Sequence, residues 1–364
     1  MKRIVLLVVS LTVLGSMLLS DPPRAANPAH AWMRVPSEAT WRKAEAAPAR
    51  WRAAQLPSSA VSRLTFRELP LKRIQEMHER NRRDVLKRTQ VGVARSTGAD
   101  ALQSALPRLQ WTATADGAAA RIEVRSPGAA GLRVGLRLAS VDDRVELRFA
   151  GSDDPSLVVA AVTSRQALGL ASPDRLYWTP STDGEAQIIE IYVPAGVSVQ
   201  NLRIEAPLIS HLVATARTGF NSTGLKMPKA LGDSDPTCEV DTACRVAELG
   251  ANFVKAKDSV ALMQFVEGAD TYLCTGTLLA DTVSATQIPY LYSAHHCLSN
   301  QTVASTLETV WKFEATACNS GVSGTTASLT GGATYLYSNE DTDALLLRLN
   351  QSPPAGTTFS GWDS

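Results

Sequence analysis

Five stretches of alternating apolar and polar residues, all between residues 121 and 205, most constrain what this 364-residue chain can fold into. They are Arg121-Ile-Glu-Val-Arg125, Leu132-Arg-Val-Gly-Leu-Arg-Leu138, Val145-Glu-Leu-Arg-Phe149, Gln187-Ile-Ile-Glu-Ile-Tyr-Val193 and Asn201-Leu-Arg-Ile-Glu205. In an extended chain successive side chains point to opposite faces, so a period of two puts the apolar residues on one buried face. Ser126-Pro-Gly128, Val141-Asp-Asp143 and Pro194-Ala-Gly196 separate the stretches with turn residues. Short alternating strands at this spacing predict an antiparallel β-sandwich. Trp178-Thr-Pro180 and Asp183-Gly184 read as turn and packing, and no cluster in this region suggests chemistry.

What precedes the sandwich is different in kind. Met1-Lys-Arg3 followed by the apolar run Ile4 to Leu19 has the form of a secretory signal, a charged start and then a hydrophobic stretch. The run is short for a spanning helix, which needs about 20 residues. Ala29-His-Ala31 fits the small-x-small cleavage rule, and cleavage near Ser20 is the other choice. The rest of the region to about residue 60 is rich in Ala, Pro and Arg and reads as an arm. Ile74 to Arg88 predicts an amphipathic helix with a solvated basic face. The net charge of +1 gives no case for nucleic acid, which asks for a basic face. The apolar fraction of 45% and charged fraction of 20% argue against disorder over the whole chain.

Thr215 to Pro236 changes again, to the Gly, Ser, Lys and Pro composition of a linker. Lys226 and Lys229 lie within it. All five cysteines follow residue 237, so disulfides would staple one domain, and an odd count leaves one without a partner in this chain. Strands are expected at Ser259–Val266, Leu273–Leu279, up to Ala294 from Tyr290, at Glu308–Phe313 and at Ala344–Leu349. No strong helical period is found in this last third.

One of those strands ends in Tyr290-Leu-Tyr-Ser-Ala-His-His-Cys297, where two imidazoles and a thiol arrive at a turn. Here the sequence resembles the trypsin-like serine proteases, whose catalytic histidine sits in an Ala-His-Cys turn. The doubled histidine, with Cys238 and Cys244, is more similar to the bacterial lysyl endopeptidase branch. The resemblance runs from about Gly232 to Ser364. It implies that His296, before the turn cysteine, is the general base and acid of a His-Asp-Ser triad. It implies that Asp343, which opens Asp343-Ala-Leu-Leu-Leu-Arg-Leu349, orients it; Asp341, two residues away, shares the same face of an extended chain and is the alternative. It also implies the pairs Cys274–Cys297 and Cys244–Cys318, with Cys238 left unpaired. A zinc site is the other use of such a cluster, but consecutive residues diverge and rarely both ligate. The family's Gly-Asp-Ser-Gly surrounding is found at none of Ser352, Ser360 or Ser364. Ser323, in Gly321-Val-Ser-Gly324, precedes the aspartate and reads as a turn residue.

The expected architecture is mainly β: a β-sandwich propeptide followed by the first half of a trypsin-like double β-barrel. Residues 1–31 are expected to be a signal peptide. Residues 32–229 are expected to be a propeptide of arm, helix, sandwich (about 108–215) and linker, and residues 230–364 the N-terminal part of the peptidase. The expected function is a secreted, extracellular serine endopeptidase precursor whose nucleophile is not in this stretch, so that residues 1–364 alone are inactive. Protein or peptide substrates and the chain's own propeptide are the expected partners, with no nucleic acid and no stable membrane association after signal cleavage. No cofactor and no metal are called for. A non-catalytic secreted binding protein on a degenerate protease barrel is the alternative. The linker is expected to be cut after Lys229 or Lys226, since it has little to bury and Met227-Pro228 restricts the chain just after Lys226.

Overall fold

The computed structural model describes residues 34–40, 49–53, 56–83, 88–216, 240–283, 285–320, 322 and 324–363. The signal segment, the linker lysines, Cys238, Ser323 and Ser364 lie outside the described residues. The chain divides into two compact units. The first, Met1–Arg34 with Asp363–Ser364, has only Arg34 and Asp363 described, and they form an exposed 3.1 Å ion pair. The second, Val35–Trp362, holds everything that follows.

Strands β1 (Arg34–Val35), β2 (Glu38–Ala39), β21 (Thr358–Phe359) and β22 (Trp362–Asp363) are short, and β2 pairs with β21. Two sheets carry the rest. A six-stranded sheet runs in the order β3 (Val61–Thr65), β6 (Gly117–Arg125), β12 (Ala186–Pro194), β8 (Glu146–Gly151) and β9 (Ala160–Thr163), with β5 (Thr112–Thr114) also on β6. Its β3–β6 pair is parallel, unlike the antiparallel pairing expected throughout. A 12-stranded sheet begins with β10 (Leu176–Trp178), β7 (Gly131–Ser140), β13 (Arg203–Leu212) and β4 (Thr89–Ser96), with β11 (Thr182–Asp183) beside β7. It continues through β15 (Asp270–Leu279), β14 (Val260–Glu267), β17 (Glu308–Trp311) and β18 (Ala327–Leu329). From β15 it also branches to β16 (Tyr290–Ala294), β20 (Ala344–Leu349) and β19 (Ala333–Asn339), which makes a curled antiparallel half-barrel.

The alternation in sequence explains the first core. Ile122, Val124, Leu147, Phe149, Ile189 and Ile191 of one sheet meet Leu132, Val134, Leu136 and Leu138 of the other, all fully buried. Each such side chain contributes about 1.5–3 kcal/mol relative to exposure. A second core, around Met263, Phe265, Leu278, Leu291, Leu345 and Trp311, fills the half-barrel. Between them Val91 packs with Leu262, Leu273 and Val310.

The sheet is continuous across that seam because β4 pairs with β13 on one side and with the start of β15 on the other. Gly92 lets the strands approach. A Cβ there would sit 2.3 Å from Ser210 Oγ and 2.7 Å from Thr271 Cβ. Arg133 seals the seam from β7. As the odd residue in a strand whose even residues face the sandwich core, it points the other way. Its Nε donates to Thr179 O at 3.0 Å and its Nη2 to Thr306 O at 2.8 Å, and Glu308 Oε1 lies 3.8 Å away. Glu308 accepts from Ser181 N at 2.9 Å and Ser181 Oγ at 2.6 Å.

Two helical expectations need correction. Helix α1 spans Leu71–Arg83, not Ile74–Arg88: it starts against Pro70, whose carbonyl accepts from Arg73 N at 2.9 Å, and Arg88 stands outside it, before β4. The last third, expected to lack helix apart from turns, contains α4 (Thr242–Asp258). None of its residues is buried, although Val246, Leu249, Phe253 and Val254 stand at helical spacing. Gly250 interrupts it at φ 68°, a left-handed conformation that glycine adopts without a Cβ clash. Helices α2 (Thr97–Asp100), α3 (Ser164–Leu170) and α5 (Gln301–Ala304) are short. Among the described residues no helix is long and apolar enough to cross a membrane.

His211, fully buried on β13, gives the fold a pH dependence. Its Nδ1 lies 2.8 Å from Ser126 Oγ, which itself accepts from Arg95 Nη1 at 2.8 Å. Burial first, then the charges of Arg95 and Arg73, push the His211 pKa down from 6.5 to about 3. The unfolded chain thus binds a proton that the folded chain refuses between those values. Stability is expected to hold above pH 6.5 and to fall as pH drops toward 3, by up to about 1.4 kcal/mol per unit. Urea unfolding midpoints between pH 7 and 4 check this, and His211→Gln should flatten the slope.

Candidate active site

The site is assembled by the register of β16 against β20. Tyr290 pairs with Arg348, Leu291 with Leu347 and Ala294 with Ala344. The turn that leaves β16 therefore faces the turn that enters β20. On one side are His295, His296 and Cys297; on the other is Asp343, the last residue before β20. His296 N donates to Asp343 Oδ1 at 2.9 Å, and His296 Nδ1 lies 2.6 Å from Asp343 Oδ2. His295 N donates to the Asp343 carbonyl at 3.0 Å. Asp343 has φ 52°, in the left-handed region that non-glycine residues seldom occupy.

These contacts fix the imidazole. The His296 backbone N–H first, then its ring, hold the Asp343 carboxyl below the usual carboxylate range. With the carboxylate on Nδ1, a neutral His296 ring carries its proton there, which leaves the lone pair on Nε2. Both side chains are part-exposed, at 32% for His296 and 50% for Asp343, so this edge of the half-barrel is open. Asp341, the sequence alternative, is exposed, and among the described residues it is Asp343 whose carboxylate meets His296.

The cysteines hold the turn and the helix. Cys274 on β15 bonds Cys297, which ties the histidine turn to the strand behind it, and Cys244 on α4 bonds Cys318. The sulfurs of Cys274 and Cys297 and a ring nitrogen of His296 lie within 4.8 Å of one another, but the disulfide leaves no thiolate to ligate a metal. Ser360 donates to Ser259 Oγ at 2.8 Å, and Ser352 lines an open groove with Gly331 and Asn350.

Two features escape a reading of the sequence. Arg88 donates through Nη1 to Cys297 O at 3.0 Å, pairs with Glu267 and lies 4.1 Å over the Tyr272 ring. The segment before β4 thereby clamps the last carbonyl of the histidine turn. His295 Nδ1 lies 2.8 Å from Ser338 Oγ, and Ser338 Oγ lies 2.6 Å from Tyr335 OH. Only the doubled histidine hints at that chain.

Comparison with known families places this geometry. The family described as "Lysyl endopeptidase N-terminal domain" matches residues 65–213, and "Lysyl endopeptidase, C-terminal domain" matches residues 231–364. The chain belongs to the lysyl endopeptidase family. The lysyl endopeptidase of Pseudomonas aeruginosa is 33% identical over 290 residues. That alignment takes in 76% of this chain and 58% of the relative, so the chain spans little more than half the length of its relative. The boundary between the two matches falls in the segment between β13 and α4, where the linker composition was read.

Proposed function

We propose that this chain is the leading part of a secreted serine endopeptidase precursor. In this reading His296 is the general base and acid, Asp343 fixes its tautomer, and the nucleophilic serine lies outside residues 1–364. The observation that carries the reading is the two-point hold of Asp343 on His296, at 2.9 Å to the backbone N–H and 2.6 Å to Nδ1. A carboxylate on Nδ1 is what lets an imidazole take a proton from a serine hydroxyl at Nε2 and return it to the leaving amine. Arg88 and β4 brace the turn from the sandwich side, so the sandwich acts as a propeptide that supports the catalytic edge. The relative's name speaks of lysine; by that likeness the substrates would be proteins or peptides cut at lysine, and the chain's own Lys229 and Lys226 would be candidate processing sites.

The experiment is active-site labelling. Residues 1–364 and the complete secreted protein are each titrated with a fluorophosphonate probe. Labelling of one serine in the complete protein, abolished by His296→Ala, with none in residues 1–364, supports the reading. Stoichiometric labelling of any serine within residues 1–364 overturns the placement of the nucleophile. An unlabelled complete protein that still cleaves peptides overturns the serine mechanism.

A further inference from the structure

We propose that His295 is a positioning residue: through Ser338 and Tyr335 its ring pins the β19–β20 turn that carries Asp343. The inference rests on the proposed roles of His296 and Asp343. Its starting point is that Asp343 needs holding. Its backbone is left-handed at φ 52°, and its side chain is half exposed, so packing does not fix it. Its own N–H reaches Glu340 O at 3.3 Å, a weak bond. What remains is polar contact with the histidine turn.

His295 supplies that contact at two points. Its main-chain N–H takes the Asp343 carbonyl at 3.0 Å, and its ring takes Ser338 Oγ at 2.8 Å. Ser338 is the last residue but one of β19 and Asp343 precedes β20, so one residue grips both legs of the hairpin. Tyr335 OH, 2.6 Å from Ser338 Oγ, orients the serine, and Tyr335 N in turn donates to Gln301 Oε1 at 2.8 Å.

The strand is built for this. Residues 335 and 338 are three apart and would face opposite ways in a regular strand. The pairing slips between them: Tyr335 is opposite Leu347 and Tyr337 opposite Leu346, so Leu336 is an extra residue. A bulge of this kind re-aims side chains, and here it turns the tyrosine and serine hydroxyls toward each other beside His295.

The test reads His296 itself, in residues 1–364 and in the complete protein. The chain has five histidines, so labelled-histidine NMR resolves them. The wild type should show a downfield Nδ1–H signal from His296 that Asp343→Asn removes. Ser338→Ala and His295→Ala should weaken or broaden that signal. His295→Asn, which keeps a polar atom near the Nδ1 position, should recover part of the lost signal. In the complete protein the same variants should lower kcat with KM held. A Ser338→Ala chain that folds and shows the wild-type signal overturns the inference while leaving the proposed function standing. A wild-type signal indifferent to Asp343→Asn would overturn the roles of His296 and Asp343, and this inference with them. Should His295→Ala not fold, Ser338→Ala and Tyr335→Phe decide.

Discussion

On the proposed roles of His296 and Asp343, replacing Asp343 with asparagine in the complete protein is expected to lower kcat about 10⁴-fold with KM within a few-fold of wild type. The change keeps size and shape, so the β16–β20 register should survive. What it removes is the acceptor on His296 Nδ1 and the negative charge that stabilises the imidazolium. An amide nitrogen facing Nδ1 favours the tautomer with the proton on Nε2, the wrong atom for a general base. Steady-state kinetics on a chromogenic peptide measure the loss. The acid side follows from the same contact. Because His296 holds the Asp343 carboxyl low, the hold is complete above the ordinary carboxylate range. It is lost only as pH falls through the depressed value. Aspartate titration should therefore leave activity untouched at neutral pH, and the asparagine variant should show no added acid limb.

The second large effect is one of stability. Glu308→Ala is expected to destabilise residues 1–364 by about 3–5 kcal/mol, because it strands a buried guanidinium. Arg133 is 1% exposed and Glu308 5%, so neither has water to fall back on. Arg133 Nη1 already has no hydrogen-bond partner among the described residues, which leaves the carboxylate as its main compensation. The same change frees Ser181 N and Oγ, both of which Glu308 accepts from. Urea unfolding followed by circular dichroism gives the number. Exposed pairs offer the contrast: Arg165–Asp143, at 78% and 53% exposure, should contribute no more than about 1 kcal/mol.

How much of this was legible depended on the kind of signal. The sandwich strands announce themselves because apolar and polar side chains alternate along them, so β6, β8 and β12 read directly even though β8 and β12 are buried on both faces. Strand β4 does not: it lies between two others, five of its eight residues are buried, and its apolar and polar positions do not alternate. It falls between the expected helix and the expected sandwich, where no strand was assigned, though it joins both halves. Helix α4 was not read either: its apolar residues stand at helical spacing, but none is buried. His296 and Asp343 were readable as motif members, and the register of β16 on β20 brings them together. Arg88, Ser338 and Tyr335 were not. Their partners lie 209, 43 and 3 residues away, and the bulge that joins the last two has no mark in the sequence.

The bridging strand has a kinetic consequence. Gly92 pairs with Thr271, so the first seam bond closes a loop of 179 residues. By chain entropy that closure costs about 3.6 kcal/mol more than the three-residue reach from Glu267 to Asp270 that closes the β14–β15 hairpin. Local hairpins are therefore expected to form early and the seam to zip last, and on the way out the seam should open first. Native-state amide exchange would show that order as Gly92 and Leu273 exchanging ahead of Ile189 and Leu278. The zipper has a natural starting point in Val91 and Leu273, which share one small apolar cluster and give the two folded faces something to hold while the backbone bonds align.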